Sequence, residues 1–410
     1  MDIATLGYAI AAGGTLLVLV LVNFLPLLPR PISFARPFFR RASRILRYRY
    51  LVDRHRFLGP WTFADVIIQV MYIGINSFCL GFRVPSIAAA GIRAGNLSML
   101  TLILLFLGPH LSFLADIIGV SLSTFQQIHR SAGLMSLGLV VFHTLVIFAS
   151  RTAFAVQGRK NKFAIVAGSA LGFIVILSWP PLRKRFYEVF LRLHQLLSAI
   201  IAASILLHVP PTLLPQMYFY IATAGTFVVT LTLEAWIWLF RNGVLANKMP
   251  TVGEIFIYPE GDKKSPFQMT IWLEKPLEIK PPQHINIWIP SLGIRYLLQS
   301  HPFIVTSWTG KKPTSLELLI EPRHGLTRRL QSLAVPKIGY TGGLGRVLFT
   351  GPHGISVPVD QYEYVFMVAS GYGIIPHLPL LERLVQGALA HEVRARRIRL
   401  VWELEDIGKS

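Results

Sequence analysis

Seven apolar stretches before residue 240 constrain this chain more than any other feature of its sequence. Each is long enough to cross a hydrocarbon core of about 30 Å as a helix that rises about 1.5 Å per residue. They cover roughly Leu6–Leu28, Trp61–Phe82, Leu97–Ile117, Thr124–Ser150, Phe163–Trp179, Val189–Val209 and Met217–Phe240. A hydrophobic fraction of 53% over 410 residues also favours membrane spans over a single soluble core. We therefore predict a membrane domain of about seven helices.

The formal net charge of +20 is concentrated beside these predicted spans. Nine arginines lie between Arg30 and Arg56, and Arg183–Arg185 lies on the same side if seven spans are counted. The other side carries fewer basic residues, which are Arg83, Arg93, Arg151, Arg159, Lys160 and Lys162. This distribution favours contact with the lipid bilayer and argues against a nucleic-acid partner. The positive-inside rule then predicts an N-terminus outside and a cytosolic domain after Arg241.

Beyond Lys248 the pattern changes to short β-branched and aromatic segments separated by Gly, Pro and Ser. They predict an antiparallel β-barrel or sandwich with strands at Thr251–Tyr258, Phe267–Leu273, His284–Ile289 and Leu316–Ile320. A second pattern follows, with a strand at Tyr364–Ala369, a glycine turn, a helix at Leu378–Ala390 and a strand at Ile398–Trp402. That order predicts a parallel α/β sheet. Because two parallel strands cannot bury both faces of a sheet, we expect this α/β domain to be incomplete.

Four histidines form two pairs of equal spacing in the fourth and sixth predicted spans. His129 and His143 lie 14 residues apart in the fourth span, as do His194 and His208 in the sixth. Fourteen residues turn an α-helix by about 1400°, roughly 40° short of four turns, and advance it by about 21 Å. One span separates the two helices, so they run in the same direction. We therefore expect His129 to face His194 near the cytosolic side and His143 to face His208 near the outer side.

Opposed imidazoles at two levels are the ligands that two b-type haems require. Ionisable residues inside a bilayer are costly, and a functional role is their default interpretation. Polar core histidines bonded to backbone are one alternative. A di-metal site is another, although it needs carboxylates that these two spans do not carry. We interpret the four histidines as the iron ligands of two haems, an arrangement suited to moving single electrons across a membrane.

Four cytosolic motifs carry weaker signals. Gln299–Phe303 follows a predicted strand, and its residue chemistry alone favours a proline-interrupted edge strand over a binding motif. Gly325–Arg328 either opens a helix whose N–H groups and arginine bind a pyrophosphate or is an ordinary basic helix start. Gly371–Gly373 lies between a buried strand and a helix, where glycines permit close approach of a dinucleotide. Gly351–Gly354 is a turn by composition.

Taken together, these motifs resemble the fungal ferric-chelate reductases, within the wider group that includes the NADPH oxidases. The resemblance covers nearly the whole chain from about Trp61 and includes Phe125–Arg130, both histidine pairs, the four cytosolic motifs and Leu400–Glu403. It implies electron transfer from cytosolic NADPH through FAD and two b-type haems to extracellular ferric or cupric chelates. It also implies a plasma-membrane or vacuolar location, with a downstream iron permease or oxidase system as a candidate partner. The motifs do not set the oligomeric state.

The resemblance assigns roles to the matching residues. The residues that it implies for FAD are His301, Pro302, Phe303, Ile304, Thr306, Ser307, Thr327 and Arg328. Those that it implies for NADPH are Gly351, Pro352, Gly371, Tyr372, Gly373 and Ile374. Ile304 departs from the family, which usually has Thr or Ser there, so a side-chain hydrogen bond to the flavin is missing.

The resemblance also implies four segments along the chain. Residues 1–60 hold the N-terminal span and a basic cytosolic segment, and 61–243 form the haem-binding transmembrane domain. Residues 244–357 form an FAD-binding β-barrel domain, and 358–410 form part of an NADPH-binding α/β domain. Because the family continues well past residue 410, we expect a C-terminally truncated chain. Two other functions stay open, namely a superoxide-generating NADPH oxidase and a catalytically dead truncated haem protein.

Overall fold

The computed structural model describes residues 2–24, 46, 49–52, 60–106, 111–150, 156–209, 214–243, 251–256, 266–293, 296, 300–307, 312–323, 325–333 and 342–404. The chain divides into two compact units. The first comprises Met1–Gly119 and Ser123–Thr230, and the second comprises Val120–Leu122 and Leu231–Ser410. Most of the basic segment between Arg30 and Arg56, together with His110 and Gln299, lies outside the described residues.

Seven helices in the described part of the chain are long and apolar enough to cross a membrane. They are α1 (Ile3–Phe24), α2 (Phe63–Gly81), α3 (Ile87–Phe106), α5 (Leu122–Ala149), α6 (Arg159–Leu177), α8 (Tyr187–His208) and α9 (Leu214–Arg241). Two short helices accompany them, α4 (Leu111–Ile118) and α7 (Pro180–Arg185), and β1 (Tyr50–Val52) pairs with β2 (Trp61–Thr62) before α2. The predicted helical membrane domain is confirmed.

Helix α2 illustrates how these spans form from the sequence. Thr62 and Asp65 make a capping box, in which the Thr62 hydroxyl accepts the Asp65 N–H at 3.2 Å and the Asp65 carboxylate accepts the Thr62 N–H at 3.0 Å. Large apolar side chains then point away from the bundle, with Ile68 66% and Phe78 62% exposed. Such outward apolar residues are suited to lipid contact, because a helix satisfies its own backbone hydrogen bonds in a bilayer.

The third span differs from the prediction of Leu97–Ile117. Helix α3 begins at Ile87 and ends at Phe106, and the remaining predicted residues belong largely to the separate helix α4. Arg93 therefore lies inside a span, where it is only 7% exposed. Our prediction that Arg93 lies in a loop was wrong. The contacts of the Arg93 side chain explain how the span includes it.

The Arg93 guanidinium has partners for its charge and its N–H groups. Its Nε lies 3.3 Å from Oδ2 of Asp2, at the start of α1. Its Nη1 donates to the carbonyls of Cys79 at 3.1 Å and Phe82 at 2.5 Å. The ion pair and the hydrogen bonds offset the desolvation cost of the buried charge, so the helix can include it. The predicted loop residues Arg159 and Lys160 likewise lie in the first turn of α6.

The second unit contains two antiparallel sheets. The first consists of β3 (Val252–Phe256), β4 (Phe267–Trp272), β7 (Ser315–Ile320) and β8 (Gly342–Arg346), in the order β7-β4-β3-β8. The second consists of β5 (His284–Trp288), β6 (His301–Ile304) and β9 (Leu348–His353), in the order β6-β5-β9. A shared apolar core includes Phe267, Met269, Ile285 and Leu318. It also includes Leu330 of α10 (Leu326–Leu333).

Of the predicted alternatives, a β-barrel or a sandwich, the barrel is wrong, because both sheets are open among the described residues. Strand β6 is a four-residue edge strand, and its Pro302 has no N–H to donate to another strand. After β6 the chain reaches the other sheet through a backbone hydrogen bond of 2.8 Å from Thr306 N to Glu317 O on β7. A continuous ladder of hydrogen bonds, which a closed barrel requires, is not formed there among the described residues.

A small α/β segment ends the described chain. Strand β10 (Tyr364–Ser370) pairs in parallel with β11 (Arg397–Glu403), and α11 (Leu378–Leu389) connects them after a 3₁₀ turn at Gly371–His377. Helix α11 packs on one face of this sheet through Leu380 and Leu384, against Met367 and its neighbours. On the opposite face Tyr364, Phe366 and Val368 are 66%, 64% and 59% exposed. Among the described residues this parallel sheet therefore has two strands and one covered face.

Candidate functional site

Helices α5 and α8 bring His129 and His194 together inside the first unit. The centroids of their imidazole rings are 6.1 Å apart, and the ring planes are inclined by 53°. A metal held between two imidazoles needs two metal–nitrogen bonds of about 2 Å, and each nitrogen lies roughly 1 Å from its ring centroid, so the centroids should be about 6 Å apart. The observed separation fits one iron between the two rings.

The ring nitrogens of this inner pair carry a second indication. The Nδ1 atoms of His129 and His194 are buried and have no hydrogen-bond partner within the described residues. An unsatisfied buried polar atom costs about 1–3 kcal/mol. Because a histidine ligates a metal through either ring nitrogen, orphaned nitrogens on two facing rings suit a ligand-binding role. The bonding of iron by this pair remains a prediction.

The outer pair, His143 and His208, is oriented differently. Nδ1 of His143 lies 2.8 Å from the carbonyl oxygen of Gly91 on α3, and Nδ1 of His208 lies 3.0 Å from the carbonyl oxygen of Lys160 on α6. A carbonyl oxygen only accepts, so each Nδ1 carries the proton and donates it. Each Nε2 then keeps its lone pair, which is the usual state of a metal-bound histidine. No ring contact joins His143 to His208 in the part of the chain that the structure describes.

Three side chains near the inner pair make contacts that support it. Next to His129 on α5, Ser131 donates its hydroxyl to Oε1 of Gln69 on α2 at 2.7 Å. Gln127 donates its side-chain amide to Oδ1 of Asp65, also on α2, at 3.3 Å. On α8 the ring of Phe190 lies 5.4 Å from the ring of His194, between centroids. Gln127 belongs to the Phe125–Arg130 motif, whereas Ser131 is identified only by its contact with α2 and Phe190 only by its contact with His194 on the same helix.

Six of the residues predicted for FAD lie on β6 and in the segment that follows it in the second unit. His301, Pro302, Phe303 and Ile304 form β6, and the side chain of Phe303 packs partly on the core. Thr306 donates its hydroxyl to Glu317 O at 2.9 Å. The hydroxyl oxygen of Ser307 accepts the Glu317 N–H at 3.1 Å. These bonds fix the backbone that follows β6 against β7.

The predicted phosphate-binding segment follows β7. Gly325 has a φ of +78°, which favours glycine, and α10 begins directly after it. Leu326 is buried in the core while Arg328 is exposed. The hydroxyl oxygen of Thr327 accepts the Arg323 N–H at 2.8 Å. A helix start that presents N–H groups beside an exposed arginine suits an anionic group.

The residues predicted for NADPH lie on β9 and in the turn after β10. Gly351 has a φ of +114°, and a Cβ there would lie 3.0 Å from His284 O, so the position requires glycine; Pro352 follows it through a cis peptide bond. Gly371 has a φ of +49°, and its carbonyl accepts the indole N–H of Trp402 at 2.9 Å.

The turn residues after Gly371 differ in what they can offer to a dinucleotide. Gly373 is exposed, whereas Ile374 is only 5% exposed and therefore supports the turn from within. Burial, together with the nearby carboxylate of Glu321, raises the pKa of the Tyr372 phenol, so that Tyr372 stays neutral. The turn can thus place a neutral hydroxyl and an open backbone segment beside a dinucleotide.

These features define a class of protein. The seven apolar helices make the chain an integral membrane protein, with facing histidines inside its helical unit and a two-sheet domain after the last span. Comparison with known families gives the same assignment. Residues 94–205 match the family described as "Ferric reductase like transmembrane component", and residues 264–357 match "FAD-binding domain". The chain thus combines a ferric-reductase-like transmembrane component with an FAD-binding domain, and the resemblance to the fungal ferric-chelate reductases is confirmed.

Curated relatives agree with this assignment. The chain is 24% identical over 369 residues to "Ferric/cupric reductase transmembrane component 7" of Saccharomyces cerevisiae, covering 85% of this chain and 56% of that protein. It is 27% identical over 285 residues to "Ferric/cupric reductase transmembrane component 2" of the same yeast, covering 67% and 37%. It is 23% identical over 400 residues to "Probable cell surface ferric reductase kap2" of Aspergillus oryzae, covering 90% and 51%. The chain therefore spans about half the length of the curated relatives it matches.

Solved structures are more distant. A flavohemoglobin from Malassezia yamatoensis with bound FAD and heme aligns over 99% of this chain and 78% of its own, at 12% identity and a TM-score of 0.31. A mutant ferredoxin-NADP+ reductase from Plasmodium falciparum aligns over 38% and 62%, at 14% identity and a TM-score of 0.27. Scores this low do not establish a shared fold.

Proposed function

We propose that this chain transfers electrons across a membrane, from cytosolic NADPH through FAD and two b-type haems to extracellular ferric or cupric chelates. The observation that carries the proposal is the pair of facing imidazoles, with centroids 6.1 Å apart, on two helices that each carry a second histidine 14 residues further on. The names of the yeast and Aspergillus relatives support the acceptor, since they are ferric or ferric/cupric reductases.

The histidines have a defined role in this proposal. His129 and His194 would hold the inner iron, and His143 and His208 the outer one. Haem, when bound, supplies a carrier of single electrons that stays low-spin with two imidazole ligands. The surrounding helices exclude water and fix the imidazoles, so little rearrangement accompanies a change of charge.

The cytosolic residues divide between the two other cofactors. For FAD we propose His301, Pro302, Phe303, Ile304, Thr306 and Ser307 beside the flavin, and Thr327 and Arg328 near the phosphates. For NADPH we propose Gly351, Pro352, Gly371, Tyr372, Gly373 and Ile374. The bonds of Thr306 and Ser307 to β7 and the indole bond of Trp402 to Gly371 support these assignments, because they hold the segments in one conformation. The domain limits at residues 60, 243 and 357 belong to the same proposal.

Orientation and location complete it. We propose an N-terminus outside and a cytosolic flavin domain, in the plasma membrane or the vacuolar membrane, on the strength of the basic residues between Arg30 and Arg56. The name of the Aspergillus relative, a probable cell surface ferric reductase, favours the plasma membrane. A downstream iron permease or oxidase system is the proposed partner.

The competing function is an oxidase that releases superoxide along the same electron path. One experiment separates the two functions. Cells that express the chain are supplied with an impermeant ferric chelate, with and without superoxide dismutase, and the ferrous product is measured. Direct metal reduction predicts product that is unchanged by the dismutase, whereas superoxide release predicts product that the dismutase abolishes. A chain that binds haem but reduces no chelate in either condition would contradict both and leave the catalytically dead haem protein.

A further inference from the structure

We propose that Gly91 and Gly95 of α3 are positioning residues for the outer-level histidine, His143. This inference rests on the proposed ligation of haem by His143. Neither glycine would touch a cofactor in this account. They act by setting the distance between α3 and α5 and, through it, the rotation of one imidazole.

The carbonyl of Gly91 provides the first contact. It accepts the proton on Nδ1 of His143 at 2.8 Å, between residues 52 apart in the sequence. This hydrogen bond fixes the tautomer, so that Nε2 presents its lone pair, and it makes the imidazole a stronger electron donor. A backbone carbonyl in the first turns of a helix can reach another helix only when the two backbones pass close together.

The missing side chain of Gly95 provides the second contact. A Cβ at this position would lie 3.2 Å from Nδ1 and 3.3 Å from Cε1 of the His143 ring. These distances are shorter than an ordinary van der Waals contact of about 3.5–4.0 Å. The imidazole therefore lies against the bare backbone of α3, and a methyl group at position 95 would rotate or displace it.

Gly91 also controls the spacing of the two helices. A Cβ at this position would lie 2.6 Å from Cγ1 and 2.9 Å from Cβ of Val146 on α5, which forces a movement. One face of α3 continues this close contact through Ser98, whose hydroxyl lies 3.1 Å from that of Ser136. Positions 91, 95 and 98 thus form a small-residue contact of the kind that lets membrane helices approach closely.

The effect should be limited to one level. His143 depends on α3, whereas near the inner pair Ser131 is bonded to Gln69 on α2, and Phe190 lies against the ring of His194. Changes at Gly91 and Gly95 are therefore expected to alter the outer haem and to leave the inner haem as it is.

The test uses the full chain in membranes with Gly91→Ala, Gly95→Ala and Gly74→Ala. Gly74 on α2 is the matched control, because a Cβ there meets nothing within 4 Å. Three readouts are independent of reductase activity: haem per chain, the electron paramagnetic resonance signals of the ferric haems, and a redox titration. A fourth variant, Gly91→Ala with Val146→Gly, removes the clashing side chain.

We expect Gly91→Ala and Gly95→Ala to lower the haem content from two per chain towards one. Where the outer haem is retained, its resonance signal should change and its midpoint potential should rise, since the donor bond to Gly91 is weakened. Gly74→Ala and the double variant should behave like the wild type. If both single variants keep two haems with wild-type signals and potentials, the inference is wrong while haem ligation stands. A wild-type chain without two low-spin haems contradicts the proposed function itself.

Discussion

The two levels of histidines are held in different ways, although their spacing along the helices is identical. At the outer level, each Nδ1 donates to a carbonyl near the start of a neighbouring helix, Gly91 on α3 and Lys160 on α6. At the inner level, the rings of His129 and His194 face each other with centroids 6.1 Å apart, and their Nδ1 atoms have no partner among the described residues. The outer level therefore depends on where two other helices begin, and the inner level depends on the packing of side chains.

The same 14-residue spacing therefore places histidines in two different physical environments. Because a hydrogen bond from Nδ1 strengthens an imidazole as a ligand, an iron held at the outer level would favour the ferric state more than one held at the inner level.

Removing the histidines should give the largest effects. His194→Ala and His143→Ala should each lower haem from two per chain to one or fewer, because a six-coordinate iron loses an axial ligand. Chelate reduction should fall to background in both. Equal changes in the resonance signals of both haems in either variant would contradict the separation of the two levels. Haem content and resonance spectra are the measurements.

Arg93→Met should destabilise the outer side of the helical unit. It removes the ion pair with Asp2 and the donors to the carbonyls of Cys79 and Phe82, at an expected cost of about 2–3 kcal/mol. The thermal unfolding midpoint in detergent should fall, and the outer haem should be lost before the inner one on heating. Arg399→Ala, an exposed residue outside the spans, serves as the control and should leave the midpoint unchanged.

Ser131→Ala should perturb only the inner level. Ser131 lies two residues after His129, and its hydroxyl donates to Oε1 of Gln69 at 2.7 Å. A polar contact between membrane helices contributes about 0.6 kcal/mol on average. We expect a small loss of stability and a shifted spectrum of the inner haem. Gln69→Ala should lower the stability by the same amount, and the double variant should lower it no further than either single variant does. Additive losses would mean that the two residues do not act as a pair.

Phe190→Leu should have the smallest effect. The aromatic ring lies against His194 with 5.4 Å between centroids, and such pairs contribute about 0.5–1.5 kcal/mol beyond the area that they bury. Leucine keeps much of the apolar volume, so haem content should stay at two per chain. The rate of haem loss to an external haem acceptor should rise for the inner haem alone. Faster loss from the outer haem would argue against the assignment of His194 to the inner level.

Much of this fold follows from local sequence properties. Apolar runs longer than about 18 residues predict spans without knowledge of their neighbours, and seven helices of this kind are present among the described residues. Strands β4 (Phe267–Trp272) and β5 (His284–Trp288) were predicted within a residue of their ends, since their side chains alternate between a core face and an outer face.

The features of the fold that the sequence did not predict depend on contacts between residues far apart in the chain. The inclusion of Arg93 in α3 is accompanied by an ion pair with Asp2, which lies 91 positions away in the sequence. The openness of the two sheets depends on the short edge strand β6 and the position of Pro302 in it. For the site, helix periodicity predicts which histidines share a level. The carbonyls that orient His143 and His208 lie on other helices, so the histidine spacing within α5 and α8 does not predict them.

The central claim is that two haems lie between α5 and α8, each held by one histidine from each helix. Its most direct test is a redox titration of membranes that contain the full chain, followed by optical and paramagnetic resonance spectra, with haem counted per chain. The account predicts two low-spin b-type haems with distinct midpoint potentials, one lost in His129→Ala and the other in His143→Ala. A chain with no haem, or with a single haem that survives the loss of either histidine, would contradict it.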